Sequence, residues 1–205
     1  GQRESAAEWL AVAFHFPYQN ATWLKDWALI TRTKLPAEVL PPKSLGDPWV
    51  DGLSNGYTTF FLSPEHGTGF YWGAGPVLYY PTATNSALGV NKWGAGPAAV
   101  ALTIQGPWVV GVLANNVWAG TANQRVNTLT VQPFVNYNWK SAAGAGANLE
   151  WTQNWTTGTT TLWLNPTISG LTSMGKQKVS LAFGPRFNLA APSGIKADWG
   201  WRAVA

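Results

Sequence analysis

The chain has 205 residues, of which 46% are hydrophobic and 14% aromatic, enough for one sizeable domain and far too apolar for disorder. Only 11% are charged, where roughly 25% is usual for soluble domains, and the fourteen tryptophans suit surfaces with one dry and one wet end, such as a membrane interface. The absence of cysteine excludes disulfides, thiolate zinc sites and thiol nucleophiles, and a net charge of +4 without a basic block gives no nucleic-acid footprint.

No apolar run reaches the roughly 18–20 residues of a transmembrane helix, because glycine, proline, asparagine or a charge interrupts each one. No cleavable signal peptide is visible, so the chain reads as mature, trimmed or cytoplasmic, and the low charge fits a cytoplasmic protein badly. Residues 1–205 read as a single domain.

Residues 1–8 form a polar lead-in. Leu10, Val12, Phe14, Phe16 and Tyr18 then alternate with smaller or polar residues as a first strand. After a turn, residues 27–35 make a second strand that carries Arg32 and Lys34 on one face. Residues 36–56 hold four prolines and several glycines and read as the longest loop, placed outside the cell. Residues 57–63 make a third strand. Two further strands follow, each opening on a tryptophan and a Gly-Ala-Gly-Pro sequence, after Trp72 and Trp93.

Residues 108–118 continue the series. Along 128–139, Leu129, Val131, Pro133, Val135, Tyr137 and Trp139 oppose Thr128, Thr130, Gln132, Asn136 and Asn138, with Phe134 the one exception. Residues 147–156, 160–169 and 178–190 repeat this pattern, and a short last strand carries Trp199 and Trp201 against Asp198, Gly200 and Arg202. The count is about eleven strands with no convincing helix.

Two-faced antiparallel strands close with the apolar side inward in a soluble barrel or sandwich, or outward against lipid. The charges decide between these. Most fall at turns, whereas Arg32, Glu150, Arg186, Asp198 and Arg202 sit within strands on a face otherwise built of Thr, Asn, Ser, Gln and Gly. A soluble surface would carry Lys and Glu there. The expected fold is therefore all-β, an antiparallel up-and-down transmembrane β-barrel. Its lumen is lined by Arg32, Gln132, Asn136, Glu150 and Asn154, and by Arg186, Asn188, Asp198 and Arg202. Membrane girdles are expected at Trp72, Trp93, Trp108 and Trp118, and at Tyr137, Trp139, Trp151 and Trp199. Pro76, Pro97, Pro133, Pro166 and Pro185 interrupt strands on the outward face, where bulges near one rim are expected.

Placing the longest loop outside puts the short turns in the periplasm and starts the first strand outside. An even-stranded barrel then needs one more strand before Gly1, so the complete barrel is expected to have twelve.

The ordered series of motifs resembles outer-membrane proteins of the meta-pathway phenol-degradation family, assigned as transporters. It comprises Trp27-Ala-Leu-Ile-Thr-Arg-Thr33, Trp72-Gly-Ala-Gly-Pro-Val77, Lys92-Trp-Gly-Ala-Gly-Pro97, Gly106-Pro-Trp-Val-Val-Gly111, Val131-Gln-Pro-Phe-Val-Asn-Tyr-Asn138 and Phe183-Gly-Pro-Arg-Phe-Asn-Leu-Ala190. The resemblance implies a barrel in a Gram-negative outer membrane that passes small aromatic or apolar compounds. It supplies no catalytic or binding residues. Such barrels end on an aromatic residue, whereas this chain ends at Ala205, which together with the absent first strand reads as a fragment.

No catalytic group, metal site or cofactor is called for. His15 and His66 are the only histidines and read as a lumen group and a turn residue, and no carboxylate pair has a recognisable spacing. The Gly-Ala-Gly-Pro sequences lack the Lys-Ser/Thr of a phosphate loop. The leading expectation is a passive channel in contact with membrane lipid. The alternatives are a filled structural barrel that binds neighbouring proteins, and a secreted tryptophan-rich binding module.

Overall fold

The computed structural model describes residues 6–9, 13–17, 26–40, 49–64, 69–121, 124–174, 177–191 and 199–204, and every regular element among them is a strand. In chain order these are β1 (Ala6–Trp9), β2 (Ala13–Pro17), β3 (Trp27–Leu40), β4 (Val50–Leu53), β5 (Tyr57–Pro64), β6 (Phe70–Tyr79) and β7 (Gly94–Gln105). The series continues with β8 (Trp108–Thr121), β9 (Gln124–Asn138), β10 (Ala143–Asn154), β11 (Thr159–Met174), β12 (Gln177–Ala190) and β13 (Trp199–Val204). From β5 to β13 each strand pairs antiparallel with the next, an up-and-down meander, and β3 joins it beside β5.

The eleven strands expected from the period-two pattern appear as β2, β3 and β5 to β13; β1 and β4 are additional. Part of the stretch read as a lead-in is thus β1, which pairs antiparallel with β3 and parallel with β13, through Ala7↔Trp201 and Glu8↔Arg202. Part of the stretch read as the longest loop is also strand. β3 runs on through Pro36 to Leu40, and β4 returns along it from Leu40↔Val50 to Ala37↔Leu53. Pro36 fits because its carbonyl, the one backbone hydrogen-bonding group a proline keeps, accepts from Ser54 N at 2.9 Å.

The strand prolines do not produce bulges. On either side of Pro97 the register Ala95↔Trp118 and Ala98↔Asn115 is continuous, and around Pro133 the pairs Val131↔Trp151 and Phe134↔Asn148 likewise admit no extra residue. Each proline instead leaves a short gap in the ladder, since it has no N–H to donate. The preceding glycines let the neighbouring strand close in at such a gap: a Cβ at Gly96 would overlap the Asn116 carbonyl, and one at Gly184 that of Pro166. The one register shift between β11 and β12 falls at Leu162/Trp163, three residues before Pro166 and not at the proline itself.

The sheet curls tightly. Lys34 on β3 and Glu150 on β10 are six steps apart in the order β3-β5-β6-β7-β8-β9-β10, about 29 Å in a flat sheet at the usual strand spacing. Their side chains nevertheless meet at 3.3 Å. The face that carries them is therefore the concave one, and strand pairing fixes what shares it.

Candidate functional site

Residues directly opposite in an antiparallel ladder share a face, so the pairs Asn148↔Asn165, Glu150↔Trp163 and Gly184↔Arg202 assign the concave side of β10 to β13. Glu150 is 6% exposed and Arg186 4%, while Asn165 is fully buried. The opposite side is exposed and apolar: Leu149, Val135, Leu181, Phe183, Phe187 and Leu189 all face out, and Ile168 is 68% exposed. In a water-soluble domain burial runs the other way.

The buried charges form one connected network. Lys34 Nζ donates to both oxygens of Glu150 at 3.3 Å, and Arg186 Nη2 donates to Oε1 at 3.2 Å. Gln132 Nε2 donates to Glu150 Oε2. Arg186 Nε donates to Asn165 Oδ1 at 2.8 Å, Asn165 Nδ2 to Asn148 Oδ1 at 2.8 Å, and Arg202 Nη1 to the same Asn148 oxygen at 3.3 Å. The Arg186 guanidinium also lies 4.6 Å from the Trp163 ring centroid, a cation–π stack on a concave-side indole. Six strands thus meet on one carboxylate and its neighbours: β3, β9, β10, β11, β12 and β13.

Of the nine residues expected to line a lumen, Gln132, Glu150, Arg186 and Arg202 are buried within this network. Arg32, Asn136, Asn154 and Asn188 are half-buried, and Asp198 lies outside the described residues. The register puts all four on the concave side: Arg32 opposite Thr59, Asn136 opposite Gly146, Asn154 opposite Thr159 and Asn188 opposite Trp163. Among the described residues, Arg32 Nη1 and Asn188 Oδ1 are buried without a hydrogen-bond partner.

The sequence reading missed three features. Alternation places Lys34 beside Arg32, but nothing local shows its partner 116 positions away. Trp163 has no role in the girdle or lumen expectations, although its position two before Asn165 puts it on the Asn face. The third is a correction: the interior is not lined throughout by Thr, Asn and Gln. On β5 to β8 the buried cluster is Phe61, Val77, Ala98, Leu113 and Val117, with Val77 fully buried. β8 is apolar on both faces, with Val110 and Val112 exposed on the other side, so period two could not show that its concave face was greasy.

Of the expected girdle residues, Trp72, Trp93, Trp108, Trp118, Trp139 and Trp199 are exposed and Tyr137 and Trp151 half-buried. Tyr137 bridges Trp108 and Trp139, at centroid distances of 4.8 and 5.5 Å, beside the short turns, and Trp72 packs edge-on against Trp27 at 5.9 Å at the same end of the sheet. Trp93, Trp118, Trp151 and Trp199 lie toward the opposite end, where Trp93 packs against Tyr80 at 5.6 Å. The backbone of His15 lies in β2, and His66 lies outside the described residues. No helix is long and apolar enough to cross a membrane, and no group of three or more metal-ligating side chains gathers among the described residues.

Comparison with protein-family models, with curated proteins and with solved structures gives no match.

Proposed function

We propose that the chain is a membrane-spanning β-barrel of the bacterial outer-membrane type that passes small solutes through a narrow polar interior. The observation that carries this reading is the inverted burial, with Glu150, Arg186 and Gln132 inside and Leu181, Phe183 and Ile168 outside. Strands β6 to β12 are 10–16 residues long, against the roughly 9–11 that a tilted strand needs to cross a bilayer. Aromatic clusters at both ends of the sheet suit the two interfaces. The pairing of β1 with both β3 and β13 supports closure of the sheet into a barrel.

A round eleven-stranded barrel with the usual strand spacing and tilt would have a backbone diameter of about 22 Å. A lysine and a glutamate on opposite walls cannot reach across that. The Lys34–Glu150 contact therefore draws the walls together and bars the interior at its level, and a solute passes only where this ion pair yields. The full burial of Asn165, Thr59 and Val77 favours a second reading, a filled barrel that conducts nothing and serves as a structural or protein-binding element.

Refolding into lipid vesicles tests both readings. Co-flotation with the vesicles and protease protection of the strands are expected; a protein that stays dissolved without detergent and does not float overturns the membrane reading. Planar-bilayer recordings then separate the two roles. Low conductance that rises in Lys34→Met supports passage, and zero conductance in the wild type and in Lys34→Met leaves the filled barrel.

A further inference from the structure

At the end of the sheet away from the short turns, three indoles converge on a single concavity. Trp93 comes from the segment before β7, Trp118 from β8 and Trp155 from the β10–β11 turn, and the cleft they frame has a volume of about 690 Å³. Girdle tryptophans on a convex wall ordinarily lie side by side and enclose nothing, so this arrangement calls for a separate account. Among the described residues that line the cleft Arg125 is the one that is charged, and it is exposed; Asn127 and Thr156 add polar groups beside it.

The walls are tied together. Trp155 N donates to Asn127 O at 2.8 Å, Asn116 Nδ2 donates to Asn127 Oδ1 at 3.0 Å, and Thr156 N donates to Asn154 Oδ1 at 3.0 Å. Trp93 is braced edge-on by Tyr80. Along β8 the outward face continues from Trp118 to the exposed Val112 and Val110, so the cleft opens onto the apolar outside of the sheet.

We infer that this cleft binds one molecule of a phosphate-bearing anionic lipid. The headgroup phosphate lies against the Arg125 guanidinium, the glycerol and first methylenes against the three indoles, and the acyl chains along the outward faces of β8 and β9. The charge complementarity of a lone arginine in an aromatic cleft selects the anionic headgroup, and continuity with the apolar wall selects an amphiphile over a free anion. The inference rests on the membrane reading for the position of the cleft at an interface, but its test does not require insertion.

The test is native mass spectrometry of the full chain in detergent. Dilauroyl phosphatidylglycerol, dilauroyl phosphatidylcholine and a neutral diacyl glucoside are added separately, with vesicle flotation run in parallel. One retained phosphatidylglycerol is expected, about tenfold tighter than phosphatidylcholine, whose choline ammonium offsets the phosphate charge that Arg125 would meet. Arg125→Gln abolishes the difference, Arg125→Lys restores part of it, and Trp118→Ala weakens both phospholipids alike. Equal retention of the two phospholipids, unchanged selectivity in Arg125→Gln, preference for the glucoside, or full displacement by millimolar inorganic phosphate each overturns the proposal. Flotation without lipid selectivity leaves the membrane reading intact and removes only the cleft. Selectivity without flotation does the reverse.

Discussion

Glu150→Gln probes the interior most directly, because it removes one charge and changes almost no volume. In the native chain this carboxylate accepts from Lys34, Arg186 and Gln132 while 6% exposed. Removing one partner of a buried ion pair typically costs about 3–5 kcal/mol, since the remaining charge stays desolvated. Glutamine keeps one acceptor oxygen, so a loss of about 3 kcal/mol is expected, roughly a 150-fold shift in the unfolding equilibrium. The assay is urea unfolding of vesicle-refolded protein followed by tryptophan fluorescence, with Lys34→Met and the double variant completing a thermodynamic cycle. A coupling between the two sites of about 1 kcal/mol or more is expected for side chains in contact. Additivity within about 0.3 kcal/mol, with Glu150→Gln itself near neutral, would refute the claim that this pair holds opposite walls together.

Other substitutions test separate parts of the argument by the same unfolding assay. Leu149→Arg, on the outward face at mid-strand, is expected to lose about 2–4 kcal/mol in vesicles, and an unchanged midpoint would mean that this face does not meet lipid. Gly96→Ala should destabilise by about 1–3 kcal/mol because its Cβ would overlap the Asn116 carbonyl. Gly170→Ala, where a Cβ meets nothing within 4 Å, should stay within about 0.5 kcal/mol. Equal effects of the two would contradict the close approach at the Gly-Pro positions. Arg186→Lys keeps the charge but gives up the fork to Asn165 and Glu150 and the stack on Trp163, so a loss of about 2 kcal/mol is expected; a neutral result would reduce Arg186 to a point charge.

What the sequence by itself determined is the strand count of the meander and the sorting of its faces. A strand turns its side chains over at every residue, so Gln132 and Val131 must face opposite ways whatever the sheet does, and the same rule separates Arg186 from Phe187. It could not tell how far each segment extends as strand. Paired edges carried β3 through Pro36 and made strands of part of the presumed lead-in and loop, because hydrogen-bond partners supplied by distant chain outweigh local turn chemistry. Nor could it read β8, where both faces are apolar and alternation carries no signal.

Which concave-side groups meet was decided only by the tertiary structure. Lys34 and Glu150 share a face by alternation, yet their contact depends on the curl of the whole sheet between β3 and β10. The convergence of Trp93, Trp118 and Trp155 depends in the same way on the stagger of three separate strand ends. Period two is a local property of the backbone, whereas curvature sums small twists and Gly-Pro gaps over many strands, and that sum brings the charges to one point.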